Sequence, residues 1–214
     1  MGYVSLASTL IITILGMVRF KKLTMPFKIL IVWLAIDFLL DASNSWIISK
    51  YKNNARLSNV LCIGEYIFYV VIYYYLFRSK IIRRFILVSI GLFLVFFFIN
   101  ALFLQPFTSV FPTNAIMTAE ILYVLLAILL FKQMLQYPLQ VNIMKQSVFW
   151  FNTAILFFST TMFLNLSLMN YYRKYHPENI SLIVIFWYSI DIIFNILLGI
   201  GILNNKKEEL TANV

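Results

Sequence analysis

Long apolar runs separated by short polar stretches form the main pattern along the chain. Because only α-helices and closed β-barrels satisfy the backbone in lipid, and barrel strands are alternating segments of about ten residues, the length of these runs predicts membrane-spanning helices. About 20 residues cross the hydrocarbon, so the pattern predicts a single all-α domain, a seven-helix transmembrane bundle. The predicted spans are residues 3–18, 27–49, 59–77, 85–104, 114–134, 148–169 and 180–203.

Composition supports a membrane class. The chain has 214 residues, of which 62% are hydrophobic and 12% charged, whereas a soluble domain is about half apolar and about a quarter charged. No separate soluble domain is expected. The first run is followed, not preceded, by charges, which favours a retained span over a cleaved signal peptide. We therefore expect a multi-pass protein of the cell membrane.

Basic residues set the predicted orientation. The net charge is +9, but the bases lie in short clusters between apolar runs, which favours membrane topology over nucleic-acid binding. Twelve Lys and Arg residues fall on one side and five on the other. The richer side should be cytoplasmic, which places the N-terminus outside and the C-terminus in the cytoplasm. The loop Lys50–Arg56 is an exception to this pattern.

Five of the eight acidic residues lie inside apolar runs. A central Asp costs about 2.5–3.5 kcal/mol on insertion scales, so these side chains should face the bundle interior, be protonated, or line a wet cavity. Two of the runs share a pattern, in which Asn59 and Asn114 each precede a carboxylate by six residues, with a Tyr one turn later. A duplication of hairpins would explain this pattern, and chance similarity of apolar sequence is the alternative.

Helical spacing places these acids on common faces with Asn and aromatic residues. In the predicted orientation most of them fall in the outer half of the bundle. We therefore predict an outward-opening acidic pocket for a small cation or cationic solute, and the alternative is a set of interhelical hydrogen bonds that only fix the bundle. The predicted pocket residues are Asp37, Asp41, Asn44, Glu65, Tyr69, Asn100, Glu120, Tyr123, Asn165, Trp187, Asp191 and Asn195.

Several function classes are excluded by missing residues. The last span has no Lys for a retinal Schiff base. The only His, His176, lies in a loop, so no HExxH motif exists, and neither GxSxG nor a glycine-rich phosphate loop is present. The single Cys62 allows no intramolecular disulfide and suggests no metal site. We predict no catalytic residue, no metal and no cofactor. A carboxylate-only intramembrane hydrolase stays open, because two acids and a water suffice for acid–base chemistry.

Three stretches, LQPFTSVFPTNAIMTAEILYVLLAILLFKQML, FWFNTAILFFSTTMFL and IDIIFNILLGIGIL, resemble a family of small seven-span bacterial inner-membrane proteins of unassigned function. The resemblance covers most of the chain from Glu65 onward. Members are often encoded beside histidine kinases, so the resemblance implies a signalling or sensor role. The residues that match the family pattern are Glu65, Asn114, Glu120, Phe149, Trp150, Asn152, Ser159 and Asn195.

The leading functional hypothesis is a receptor-like or sensor protein without enzymatic activity, passing a signal to a membrane or cytoplasmic partner such as a histidine kinase. The basic loops Arg19–Lys28 and Arg78–Arg84 would contact anionic lipid or that partner, although membrane topology alone also accounts for them. A cation- or proton-coupled transporter or channel is the first alternative. A structural subunit of a membrane assembly is the second.

Overall fold

A computed structural model describes residues 2–137 and 142–205. Within these ranges the chain is helical and contains no strand. Short helical turns connect some of the long helices, at Phe20–Lys22, Ile143–Lys145 and Pro177–Asn179, and a π-helical turn, Asn100–Leu104, extends the fourth. The long helices are α1 (Gly2–Arg19), α2 (Met25–Tyr51), α3 (Ala55–Leu76), α4 (Lys80–Ile99), α5 (Thr113–Gln136), α6 (Ser147–Tyr175) and α7 (Ile180–Asn204).

Six of these helices are long and apolar enough to cross a membrane. They are α1 and α3 to α7, which confirms the prediction of a helical, multi-pass membrane protein. The remaining helix, α2, has 27 residues and carries both Asp37 and Asp41. The count of seven spans and the orientation of the chain remain predictions.

Local sequence explains several helix ends. Ser79 caps α4 by accepting a hydrogen bond from the N–H of Ile82, as N-cap hydroxyls commonly do. Pro26 lies in the first turn of α2, where its missing N–H costs no helical hydrogen bond. At the other end of α2, Lys52 adopts a left-handed conformation with φ of 52°, a conformation common just beyond helix C-termini.

The chain divides into two compact units. The terminal unit contains residues 2–24 and the described residues from Glu120 onward, and the central unit is Met25–Ala119. Helix α5 therefore begins in the central unit and continues into the terminal one.

In the terminal unit, α7 packs against both α1 and α6. Helices α1 and α7 run parallel, because Ser5 near the start of α1 pairs with Asp191 at the middle of α7, and Arg19 at the end of α1 donates to the Leu203 carbonyl near the end of α7, at 2.8 Å. Helix α6 runs antiparallel to α7, and the Phe158 ring lies 4.6 Å from that of Phe194. Helices α1 and α6 are thus held in register on α7.

In the central unit, α3 packs between α2 and α4. The contacts are aromatic, since Trp33 stacks on Phe68 at 4.9 Å between ring centroids and Tyr66 stacks on Phe93 at 3.9 Å. A Cβ atom at Gly64 would lie 2.9 Å from the Trp33 ring, which is too close for any other residue without a shift. Gly64 therefore lets α2 and α3 approach.

Candidate functional site

The twelve predicted pocket residues divide equally between the two units. The convergence of all twelve at one pocket stays a prediction, and each half is described within its own unit. The central unit holds Asp37, Asp41, Asn44, Glu65, Tyr69 and Asn100, and the terminal unit holds Glu120, Tyr123, Asn165, Trp187, Asp191 and Asn195.

Burial differs widely among the predicted acids. Asp41 is exposed on α2, while Asp37, Glu65 and Asp191 are half-buried. Glu120 is 2% exposed. A carboxylate taken out of water needs a partner or a proton, so Glu120 is the acid for which the surrounding atoms matter most.

In the central unit, Asn100 belongs to a group of amides that fasten the loop after α4. Its side chain donates to Gln105 and accepts from Asn114, both at 3.1 Å. Asn59 donates to the carbonyls of Phe107 and Val110, at 3.1 and 3.2 Å. We call Asn59, Asn100, Gln105 and Asn114 the loop latch. Its hydrogen bonds give Asn100 a structural role in this loop.

Asn44 also bonds within the central unit. Its side-chain oxygen accepts from the amide of Asn54 at 3.2 Å, which ties the end of α2 to the start of α3. Tyr69 is buried on α3. Neither residue adds a charge to the central unit, so the ionisable members of the predicted pocket there are Asp37, Asp41 and Glu65.

In the terminal unit, α1 and α7 are joined by a run of polar contacts. The Ser5 hydroxyl donates to the Asp191 carboxylate, and the Asn195 amide donates to the hydroxyls of Ser8 and Thr9, at 2.8 and 3.0 Å. We call these five residues the α1–α7 seam. Small polar residues let helices approach closely in membranes, so the seam explains how α1 is held on α7.

The seam residues of α1 were not among the predicted pocket residues. Ser5 and Thr9 are one helical turn apart, and Thr13 continues the same face one turn later; all three are buried. A stripe of small polar residues at this spacing in an apolar helix is a packing signal, and it could have identified α1 as the partner of α7.

A second polar group lies between α5 and α6. Glu120 and Tyr123 are buried on α5, and Ser159 is buried on α6; we call these three residues the Glu120 site. The Ser159 hydroxyl lies beside the Glu120 carboxyl, but no hydrogen bond of normal geometry joins them. Among the described residues, neither Oε2 of Glu120 nor Oγ of Ser159 has a hydrogen-bond partner.

The register of α5 and α6 supports this juxtaposition independently. The Asn152 amide of α6 donates to the Ala127 carbonyl of α5 at 2.8 Å. Seven residues, about two helical turns, separate Ala127 from Glu120 and also Asn152 from Ser159. Because the two helices are antiparallel, the same register that pairs Asn152 with Ala127 brings Ser159 level with Glu120.

Asn165 lies elsewhere in the core of the terminal unit. It is fully buried, and neither of its amide atoms has a hydrogen-bond partner among the described residues. It follows Ser159 by six residues, which is about 9 Å along α6 and about 120° around it. Asn165 is thus a separate group and does not belong to the Glu120 site.

A further polar cluster lies where α6 begins and α7 ends. The Asn205 side chain accepts from the Thr24 N–H at 2.8 Å and donates to the hydroxyls of Thr24 and Ser147, at 3.2 and 2.9 Å. Beside Ser147 in sequence, Gln146 is buried, and its Nε2 has no partner among the described residues. Asn205 was not predicted as a core residue, because it follows the last apolar run, where a polar residue is expected to be solvated.

The chemistry open to the Glu120 site follows from its atoms. A carboxyl and a hydroxyl with unused hydrogen-bonding capacity can bind a proton or a donor-bearing cation. No group of three or more His, Cys, Asp or Glu residues that could hold a metal ion occurs in the described part of the chain. His176 lies in an exposed turn, 3.3 Å from Glu178, far along α6 from Ser159.

Comparison of the sequence with protein-family models and with curated proteins, and of the fold with solved structures, finds no match.

Proposed function

We propose that this protein is a membrane receptor or sensor that binds a small cation or cationic solute at the Glu120 site. The observation that carries the proposal is the Oε2 atom of Glu120, which is buried without a hydrogen-bond partner among the described residues. Ionisable residues inside membrane segments are costly and are retained mainly for function. A carboxylate with unused capacity beside an unused hydroxyl is suited to binding a cation.

The alternative reading, that intramembrane polar residues only hold the bundle together, fits the other clusters better than this one. Asn195, Asn100 and Asn205 all make side-chain hydrogen bonds to other elements. Native cores pair most buried polar groups, and each exception calls for an explanation. Glu120 and Ser159 are such exceptions, and a bound cation accounts for both.

The polar residues beyond Glu120 favour binding over transport. In the predicted orientation Glu120 lies in the outer third, and Asn152 and Asn205 lie between it and the cytoplasm. Both amides are already bonded to protein atoms, so they provide no open series of ligands for a moving ion. A one-sided site suits a sensor that passes a signal to a partner, such as the histidine kinase implied by the family resemblance.

A cation- or proton-coupled transporter is the second candidate, and one observation favours it. Nε2 of Gln146 is buried without a partner among the described residues, at the opposite end of α6 from Asn165. Together with the Glu120 site, it would provide a second polar group on a path through the terminal unit. Flux measurements separate this candidate from the sensor.

The test uses the full-length protein in liposomes and in detergent. Proton and monovalent-cation flux is measured for the wild type, for Glu120→Gln, and for the control Thr160→Ala, in which an exposed hydroxyl that bonds only its own helix is removed. We expect no flux above that of empty liposomes, together with cation binding that Glu120→Gln abolishes and the control retains.

Flux that disappears in Glu120→Gln would replace the sensor by the transporter. If the wild type shows neither flux nor any cation binding that depends on Glu120, both candidates are wrong and the carboxyl is a packing element. Co-purification of a histidine kinase with the wild type would identify the signalling partner.

A further inference from the structure

We infer that the cation bound at the Glu120 site is an organic ammonium ion with a short alkyl group, and not a metal ion. The inference rests on the proposed function and specifies its ligand. It follows from the number and kind of atoms that the site offers, from the aromatic ring beside the carboxyl, and from the placement of basic residues in the terminal unit.

The oxygen count argues against a metal ion. Ca²⁺ takes six to eight oxygen ligands and Mg²⁺ needs near-octahedral coordination. The Glu120 site offers one carboxyl, the hydroxyl of Ser159 and the buried hydroxyl of Tyr123, which are too few oxygen atoms for either ion. The backbone carbonyls around them belong to the helical ladders of α5 and α6, and no group of three or more His, Cys, Asp or Glu residues that could hold a metal ion occurs within the described residues.

An ammonium group fits the same atoms. It carries one positive charge, which the single carboxylate of Glu120 balances, and up to three N–H donors. Oε2 of Glu120 and Oγ of Ser159 can each accept one of them. Such charge-assisted hydrogen bonds are stronger than neutral ones, so they can replace part of the hydration that the cation loses.

The neighbouring side chains suit an alkylated cation. Tyr123 lies on α5 one turn from Glu120 and is buried, and aromatic rings contact organic ammonium ions by their faces in known sites. On α6, the turns before and after Ser159 carry the buried apolar side chains of Ile155 and Met162. An alkyl group gains from this lining, whereas a bare metal ion does not.

The charge distribution excludes an anionic ligand. The described Lys and Arg residues of the terminal unit lie at or beyond helix ends, except Lys132, which follows Glu120 by twelve residues on α5. Arg19, for example, donates to the Leu203 carbonyl at the end of α7. No base on α6 or α7 is near the level of Ser159, so the carboxylate of Glu120 determines the charge that the site prefers.

The test is the binding of defined salts to the purified full-length protein, by calorimetry and by the shift in melting temperature. The probes are propylammonium and methylammonium chloride, compared with NaCl, KCl and CaCl₂ at equal ionic strength. We expect both ammonium salts to bind and raise the melting temperature, with propylammonium the tighter of the two, and the metal chlorides to have no effect that depends on Glu120.

Four variants assign the contacts. Glu120→Gln should weaken propylammonium binding by about tenfold or more, as expected for the loss of a charged hydrogen bond, and Ser159→Ala should weaken it several-fold. Tyr123→Phe keeps the ring and should retain the affinity, whereas Tyr123→Leu should lose about threefold or more of it. Thr160→Ala is the control that should bind as the wild type does.

The outcomes are distinguishable. If Na⁺, K⁺ or Ca²⁺ binds in a Glu120-dependent way and the ammonium salts do not, this inference is wrong and the proposed function stands. If no cation binds, the proposed function fails with it, and an internal water is the remaining partner of Glu120. If Glu120→Gln does not fold, as judged by size exclusion and circular dichroism, the Tyr123→Phe and Tyr123→Leu pair decides, because equal affinities contradict the ring contact.

Discussion

The α1–α7 seam and the Glu120 site are both polar regions between helices of the terminal unit, but their atoms are used differently. In the seam, the side chains of Asp191 and Asn195 bond hydroxyls of α1. In the Glu120 site, the carboxyl and the Ser159 hydroxyl lie side by side without completing a hydrogen bond. Burial alone therefore does not distinguish a packing residue from a binding residue, whereas the presence or absence of hydrogen bonds to its side chain does.

The energetic consequence runs in opposite directions in the two regions. Interhelical hydrogen bonds in membranes stabilise a protein by about 0.6 kcal/mol on average, so removing one from the seam should lower stability. A buried polar group without a partner costs about 1–3 kcal/mol, so removing one from the Glu120 site should cost nothing or should stabilise the fold. Mutations can therefore separate the two regions.

The largest effect is expected from Gly199→Leu, which overpacks the contact between α7 and α1 beside the seam. A Cβ atom at Gly199 would be in van der Waals contact with Cγ2 of Ile12, at 3.4 Å, so the further carbon atoms of a leucine side chain would press against α1. Overpacking of this kind costs about 1–3 kcal/mol. The free energy of unfolding, measured by titration with a denaturing detergent, should fall by that amount.

Gly91→Leu is the matched control for this substitution, because nothing lies within 4 Å of a Cβ atom at Gly91 on α4. It should leave stability unchanged or raise it slightly, since leucine favours the helix over glycine. Equal losses in the two variants would show that α1 is not closely packed on α7.

A smaller effect is expected from Asn195→Ala, which removes two hydrogen bonds of the seam. The free energy of unfolding should fall by about 1 kcal/mol, within the range for polar contacts between membrane helices. Ser189→Ala is the control, because the Ser189 hydroxyl bonds only the Ile185 carbonyl of its own helix. In a double-mutant cycle, Asn195→Ala and Thr9→Ala should be coupled; additive effects would contradict the contact.

The smallest effect, and the sharpest comparison, comes from the same substitution made in each region. Ser5→Ala removes the donor to Asp191 and should cost about 0.6 kcal/mol. Ser159→Ala removes a hydroxyl without a hydrogen-bond partner among the described residues and should cost nothing in the absence of ligand. Equal losses from the two substitutions would mean that the Glu120 site is as well bonded as the seam.

The sequence predicted the helices well because membrane spans are long and uniformly apolar, and six helices fit that description. Helix α2, which carries Asp37 and Asp41, is not among those six, so its crossing of the membrane stays a prediction. The orientation depends on the positions of Lys and Arg relative to a membrane, so it stays a prediction.

The candidate site was predictable only in part. A carboxylate inside an apolar run is visible in the sequence, and Glu120 was identified in this way. Its partner was not, because the pairing of side chains depends on the register and rotation of helices that are distant in sequence. Asn100 and Asn165 occupy similar places near span ends, yet Asn100 belongs to the loop latch and Asn165 makes no hydrogen bond within the described residues.

The loop latch also determines where the protein can be engineered. The loop between the π-helical turn and α5 is tied down by Asn59 and Asn114, the two residues that begin the repeated pattern in the sequence. An inserted epitope tag would have to break those bonds. The turn Pro177–Asn179 is exposed at Pro177 and Glu178, which makes it the better insertion point for a tag that reports which side of the membrane this end of the bundle faces.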